Sequence, residues 1–387
     1  WKEIVNGLPD DPINTVKEDP VRKGLLFAGS ETAVYVSFDD GDHWQSLRLN
    51  MPATSIRDLM IKNNDLVVAT HGRSFWILDD IAPLRQLSGE AIAKDAVLYK
   101  PDKAYRVRWD MNTDTPLPPD EPGGENPPDG AVIDYYLKDQ AAGVVKLEIF
   151  DASGKLVRHY ASNDSLYKIP PVNIPLYWIR PQQILSGDAG FHRFVWDLHY
   201  QPLNLPPDYP IAAIYKNTAP APTSPYVLPG VYTVRLTVNG KEYTRQLVVK
   251  MDPRVKASSP DLKKQLDLSL QCYEGRRQTM EALKELHNFR MQLAGRIISS
   301  EEPITASLKA LDAEADSLEN TPAGSQADSF SSLNNAYTGL FNTLQGADTP
   351  PAARTATGVK NAWASLKKLY AKWDKWKHKA LPLVHEQ

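Results

Sequence analysis

Apolar and polar residues alternate in short runs along the first two thirds of the chain and change to a helical rhythm in the last third. Alternation marks a strand with one buried face, and steps of three and four residues mark a helix with one buried stripe. Runs at 13–17, 25–28, 34–37 and 44–47 predict four short strands in the opening stretch. Further runs at 132–137, 144–150, 156–160, 190–200, 230–238 and 243–249 predict six more, and Asn239-Gly240 between the last two spells a type I′ hairpin turn. Short strands at this density predict a two-sheet sandwich. After Pro253 the pattern changes: Leu262, Leu266, Leu270 and Tyr273 step by four, four and three behind Ser259-Pro260-Asp261, a helix start with Pro in the first turn. Further helices are predicted at 303–318, 328–345 and 352–380, with breaks at Pro303, at 321–324 and at Pro350-Pro351. Four amphipathic helices with short breaks predict an up-and-down bundle.

Between the two strand-rich stretches, Pro116, Pro118, Pro119, Pro122, Gly123, Gly124, Pro127 and Pro128 crowd together. Such a run holds neither a helix nor a central strand and reads as an extended connector. The expected division is therefore 1–88, a linker at 89–130, a sandwich at 131–255 and helices at 256–387.

The opening stretch repeats itself. Trp1-Lys2-Glu3-Ile4 with Leu8-Pro9 is echoed by Trp44-Gln45-Ser46-Leu47 with Met51-Pro52, and Ala28 with Val34-Tyr35-Val36 is echoed by Ala69 with Phe75-Trp76-Ile77, at offsets of 43 and 41 residues. That period matches one four-stranded propeller blade. Between two predicted strands lies Ser37-Phe38-Asp39-Asp40-Gly41-Asp42-His43-Trp44, which reads Ser-x-Asp-x-Gly-x-x-Trp, the complete Asp-box. The spacing suits a tight turn in which the Asp39 carboxylate accepts backbone N–H bonds, Gly41 supplies positive φ and Trp44 fills the space beneath. Ser37, Asp39, Gly41 and Trp44 are thus structural residues.

With these motifs, residues 1–88 resemble the end of a bacterial neuraminidase-repeat propeller, the group that includes sialidases, xyloglucan-cleaving glycosidases and sortilin-type receptors. They most resemble exported sortilin-like or glycosyl-hydrolase-like repeat proteins, whose last blade carries a run similar to residues 69–80; Ser74 departs from the Gly common there. Segments 143–160 and 229–249 resemble the immunoglobulin-like modules that follow such propellers. The fold class expected is thus multidomain, β then α: about two blades of a partial β-propeller, an Ig-like β-sandwich and a C-terminal helical bundle. The resemblance implies a secreted or periplasmic protein. Trp1 falls where a box Trp would stand, so the sequence reads as the C-terminal portion of a longer protein, its other blades on a missing N-terminal part or on another chain.

Composition narrows the chemistry. Forty-four basic against 47 acidic residues leave a formal charge of -3, which argues against a dedicated nucleic-acid surface. No apolar run approaches the eighteen or so residues that a membrane-spanning helix needs. The one cysteine, Cys272, neither forms an internal disulfide nor builds a thiolate metal site. No cofactor motif, zinc pattern or Ser-His-Asp set is recognisable, so neither cofactor nor metal is expected. The lysine-rich final helix carries Trp363, Leu366, Tyr370 and Trp373 on one stripe, which reads as its core side rather than a membrane face. Asp39, Asp40, Asp42, Asp79 and Asp80 could offer paired carboxylates, yet none has an identifiable partner. His192, Asp197 and His199 alternate along one run, too few to define a metal site. His71 and Arg73, in a Gly-containing loop, form the candidate binding loop for an anionic group, although a loop that merely locks the blade would carry the same residues.

Two functions follow as expectations. One is an extracytoplasmic binding or scaffold protein that uses the propeller as a recognition surface for a protein or glycan ligand. The alternative is a carbohydrate-acting glycoside hydrolase whose catalytic carboxylates lie in blades absent from this chain.

Overall fold

A computed structural model describes residues 2–108, 124, 126–211, 214–322 and 327–385. Trp1 and the Pro116 to Gly123 part of the expected connector lie outside the described residues.

The opening stretch forms two antiparallel meanders. Strands β1 (Ile13–Glu18), β2 (Leu26–Ser30), β3 (Val34–Ser37) and β4 (Gln45–Ser46) make a four-stranded sheet in chain order. Strands β5 (Ile56–Lys62), β6 (Asp65–Thr70) and β7 (Phe75–Leu78) make a three-stranded one, also in chain order. Leu25, Phe27, Val34 and Val36 of the first share one apolar cluster with Leu59, Leu66 and Val68 of the second, with Trp76 and Leu78 packed against it. Each meander has an apolar face that it cannot bury alone, and stacking the two buries it.

Short helices α1 (Ala82–Gln86) and α2 (Gly89–Ile92) follow, the latter capped by the Ser88 hydroxyl accepting from Ala91 N–H at 3.1 Å. Next come β8 (Ala96–Leu98) and β9 (Ala104–Arg106), then β10 (Ala131–Leu137), β11 (Lys146–Phe150), β12 (Leu156–Ala161), β13 (Gly190–Trp196), β14 (Gly230–Val238) and β15 (Lys241–Met251). One sheet runs β13-β10-β8 and the other β12-β11-β14-β15-β9. Ile133, Tyr135, Phe194 and Trp196 of the first and Leu147, Ile149, Val234, Leu236 and Leu247 of the second lie in one core. Asn239 and Gly240 both take positive φ, 49° and 78°, as a I′ turn requires.

Strands β8 and β9 fall inside the stretch expected to be a linker. Each is only three residues long, and β9 runs parallel to β15, far away in sequence, so no local hairpin signal announces it. The leading half of the expected linker therefore supplies one strand to each sheet.

The last third is helical: α3 (Ser259–Ser299), α4 (Ile304–Glu319), α5 (Phe330–Gln345) and α6 (Ala353–His385) surround one core. The hydroxyl that caps α3 belongs to Ser258, one residue before the Ser expected from the sequence. On α6, Leu366, Trp373 and Trp376 are buried, and Trp363 and Tyr370 pack against the same cluster. The Trp376 indole donates to the Leu311 carbonyl at 3.0 Å, satisfying its buried N–H. At Gly275 a Cβ would come within 2.4 Å of the Tyr337 ring, which explains a glycine in mid-helix. No helix among the described residues is long and apolar enough to cross a membrane. The chain is thus β-sheet first and helical afterwards.

Candidate functional site

Two places in the β region concentrate polar chemistry: the ends of the meanders, and the cleft between the second meander and the sheets that follow. At one meander end, between β3 and β4, Asp39 Oδ1 accepts from His43 N–H and from the Ser37 hydroxyl, both at 2.9 Å. Asp39 Oδ2 meets His43 Nδ1 at 2.7 Å, and Ser37 Oγ accepts from Gly41 N–H at 2.9 Å. The hydrogen bond with His43, ahead of the backbone bond and Ser37, holds the Asp39 carboxyl at about 2. Gly41 has φ 89°, and a Cβ there would meet the Ile4 side chain at 2.7 Å. Trp44 is buried and donates from its indole to the Ile4 carbonyl at 2.8 Å. All four residues are committed to the turn, which leaves little bonding capacity for a ligand.

The opposite situation holds between β6 and β7. There the backbone is tied down. His71 N–H donates to the Ser55 carbonyl at 2.9 Å, Arg73 N–H to the Thr70 hydroxyl at 3.2 Å, and that hydroxyl to the Ser74 carbonyl at 2.6 Å. The Trp76 indole donates to the Arg73 carbonyl at 2.9 Å. Gly72 and Ser74 both take positive φ, 77° and 59°. Ser74 thus adopts a conformation in which Gly is the easier residue. His71 and Arg73 are exposed, and neither side chain makes a hydrogen bond or ion pair among the described residues. Nearby, Glu31 accepts from Asn14 at 2.9 Å and faces Arg57 at 3.5 Å. The backbone of His71 and Arg73 is therefore tied down while the Arg73 side chain has no hydrogen-bond or ion-pair partner among the described residues and the His71 imidazole is felt by Glu31.

Asp80 lines a different site, next to Asp79 in the chain. A cleft of about 330 Å³ is bounded by Asn63, Asn64, Asp65, Asp80, Asp102 and Tyr105 among others. Burial raises the carboxyls of Asp79 and Asp80 above the usual range, reinforced by Asp65 for the first and by Asp134 and Asp102 for the second. Raised carboxyls in a cleft are the mark of a possible acid–base site. Yet these groups serve turns. Asp65 Oδ1 accepts from Asp80 N–H and Asp80 Oδ1 from Ala82 N–H, each at 3.0 Å. Arg193 of β13 reaches across to donate to the Asp79 and Asp80 carbonyls, at 2.6 and 2.8 Å, while its fork grips Asp134 at 2.9 and 3.1 Å. Sequence reasoning missed Arg193; its only trace was an Arg among the apolar positions of a strand.

No family model matches the chain, and no curated protein matches it either. Its chemistry has to come from the side chains themselves.

Among the described residues no group of three or more His, Cys, Asp or Glu is placed to hold a metal ion. His192, Asp197 and His199 do not converge: His192 Nε2 contacts the Asp188 carbonyl at 2.7 Å, whereas His199 turns its Nδ1 onto the Asp197 carbonyl at 2.7 Å. His199 is buried against the Tyr226 ring, 3.7 Å between centroids, and burial depresses its imidazole below the ordinary range. Tyr226 also lies under Arg106 and Arg108, whose guanidiniums ion-pair with Asp348 just beyond α5. This junction of strands and helices gave no local sequence signal, because Arg106 and Asp348 lie 242 residues apart.

Proposed function

We propose that the chain is an extracytoplasmic binding or scaffold protein, similar in kind to the sortilin-like Asp-box propeller proteins, and that the rim around His71 and Arg73 is its recognition surface. The observation that carries this reading is the contrast within one loop: a backbone fixed by hydrogen bonds presents a guanidinium that has no hydrogen-bond or ion-pair partner among the described residues, beside an exposed imidazole whose charge is felt by Glu31. A pre-fixed backbone spares the entropy of ordering a loop on binding, and an exposed Arg forks onto carboxylate, sulfate or phosphate oxygens. The ligand is therefore a glycan or protein bearing an anionic group. Supporting the propeller reading are the repeat of 41 to 43 residues, the two stacked meanders and the hydrogen bonding within the Ser37 to Trp44 turn. In this reading the β8–β15 sheets are an Ig-like module, and with the helices they serve as interaction or anchoring parts.

The hydrolase alternative places its catalytic carboxylates in blades absent from this chain; within it, burial raises the carboxyls of Asp79 and Asp80, but the polar groups around them are used in turns and in the Arg193 clamp. The test is a panel of sulfated, uronic-acid, sialylated and neutral glycans presented to the 387-residue chain. Binding confined to anionic members, weakened about tenfold or more by Arg73→Ala at unchanged melting temperature, supports recognition at the rim. Equal binding by the variant overturns it, and glycan cleavage by the natural full-length protein that a single carboxylate substitution abolishes establishes the hydrolase instead.

A further inference from the structure

Most guanidiniums that this fold encloses face a carboxylate. Arg106 is 2% exposed beside Asp348, Arg85 meets Asp19 at 2.9 Å, and Arg158 meets Asp197 at 3.7 Å. Arg290, also on α3, holds Asp312, Asp316 and Glu319. Arg276 of α3 breaks the pattern. It is 9% exposed, its Nε is enclosed without a partner, and its side chain makes no hydrogen bond or ion pair among the described residues. The sequence shows why. Residues three and four apart face each other on a helix, and those positions around Arg276 hold Cys272, Tyr273, Thr279 and Met280, none of them acidic. Arg277, one step round the helix, takes the local acids Glu274 and Glu281, each at 2.6 Å.

The groups beside Arg276 are donors as well. Tyr337 of α5 presses the hydroxyl end of its ring on Gly275, the neighbour of Arg276, and the buried hydroxyl has no partner. A buried phenol normally finds one. Cys272 lies one helical turn before Arg276 and is close enough to bear electrostatically on both Arg276 and Tyr337. Burial pushes its thiol up to about 12, so it stays neutral and supplies no counter-charge. Thr279 turns its hydroxyl to the Gly275 and Arg276 carbonyls, at 3.0 and 2.9 Å. A full positive charge and two further donors thus lie together with no acceptor among the described residues. Enclosing a charge without a counter-charge is unfavourable, and an anion that fits removes the penalty. We propose that Arg276 and the Tyr337 hydroxyl form a binding site for a small oxyanion of the sulfate or phosphate class, set between α3 and α5. The planar guanidinium matches two oxygens of such an ion, and the phenol donates to a third. An exposure of 9% leaves an opening for an ion rather than for a sugar ring or a peptide strand. The site is separate from the His71 and Arg73 rim and does not rest on the function proposed for it.

The test is thermal melting of the helices in the 387-residue chain, followed by far-UV circular dichroism in sodium sulfate, with sodium gluconate keeping the ionic strength constant. Sulfate is expected to raise the melting temperature by about 3 °C or more over a hundredfold rise in concentration. Arg276→Met keeps the apolar stem and should abolish that response. Tyr337→Phe removes only a hydroxyl and should shift the response to severalfold higher sulfate, which decides the matter if Arg276→Met does not fold. Arg73→Ala should leave the response intact, so this site and the rim fail separately. Equal responses in the wild type and in both variants overturn the proposal, because the Arg276 stem then merely covers apolar surface while its head reaches water. Stabilisation by a sulfated oligosaccharide with none by free sulfate overturns it too, since the anion then belongs to a larger molecule.

Discussion

The junction between the sheets and the helices uses its polar groups in the opposite way from the rim of the second meander. At the junction, Arg106 and Asp348 are 2 and 3% exposed at the side chain and are bound to one another, although the Nε atoms of Arg106 and Arg108 are buried without a hydrogen-bond partner. Arg106 also donates to the Val227 carbonyl at 2.8 Å, Gln265 to the Leu344 and Ala347 carbonyls at 2.7 and 2.6 Å, and Gln345 to the Ser269 hydroxyl at 2.8 Å while accepting from Tyr226 N–H at 3.1 Å. At the rim, the backbone bonds are spent and the charged side chains are not. The lesson is that charge by itself says nothing about role. A buried, paired guanidinium fixes how two parts of the molecule sit, and an exposed, unpaired one on a rigid loop is available to something else.

The largest expected effect comes from breaking the junction. Asp348→Ala leaves two guanidiniums stacked on Tyr226 without their counter-ion, and removing one partner of a buried pair costs roughly 3–5 kcal/mol. Urea unfolding followed by tryptophan fluorescence should register the loss. A change below about 1 kcal/mol, the range of exposed pairs, would mean that the junction is no more than a surface contact and would erase the contrast. Inside the helices, Gly275→Ala drives a methyl into the Tyr337 ring and should cost about 1–3 kcal/mol by overpacking. If it stabilises the protein, as Gly→Ala does in an unobstructed helix, the close approach is wrong.

Much of this architecture was written locally. The Asn239-Gly240 turn, the α3 start and the aromatic stripe of α6 each depend on residues within a few turns or one hairpin of each other, and pattern reading reaches that far. The Ser37 to Trp44 turn is equally local, so its residues could be chosen in advance. The junction could not be. Arg106 sits on a three-residue strand whose partner β15 comes nearly 150 residues later, and Asp348 follows a different helix again, so no periodicity connects them. Arg193 escaped for a similar reason: its partners Asp134 and the Asp79 and Asp80 carbonyls come from two other elements. For the candidate loop, the sequence marked His71 and Arg73 as neighbours of a glycine, but only the three-dimensional arrangement separates a tethered backbone from untethered side chains.

A smaller effect is expected at the Asp39 turn, which sharpens the comparison by adding a charge that is paired but not buried. Its carboxyl is held at about 2, below the ordinary 3.8, mainly by the bond with His43. A group with a lowered folded pKa contributes stability that is complete above its unfolded value and is lost as pH falls through the folded one. The turn's contribution should therefore be intact above about pH 4 and decline toward pH 2. Melting curves of the wild type and Asp39→Asn across that window should converge at the acid end. Curves that stay parallel would show that the carboxylate does not titrate as its bonds require.

The smallest effect on stability is expected from Arg73→Ala, and its smallness is the informative part. The Arg73 side chain contacts nothing through hydrogen bonds or ion pairs among the described residues, while its N–H and carbonyl are held by Thr70 and Trp76, bonds that alanine keeps. Surface substitutions of this kind stay within about 0.5 kcal/mol. Gly72→Ala in the same loop is different, because φ 77° is strained for any residue with a Cβ even though nothing crowds the position, and a cost of about 1 kcal/mol is expected. If instead Arg73→Ala destabilises as much as Gly72→Ala, the guanidinium is a structural brace and the rim has no spare charge to offer. If the cost falls on Gly72 alone, the loop separates into a backbone that holds shape and side chains free to meet an anion.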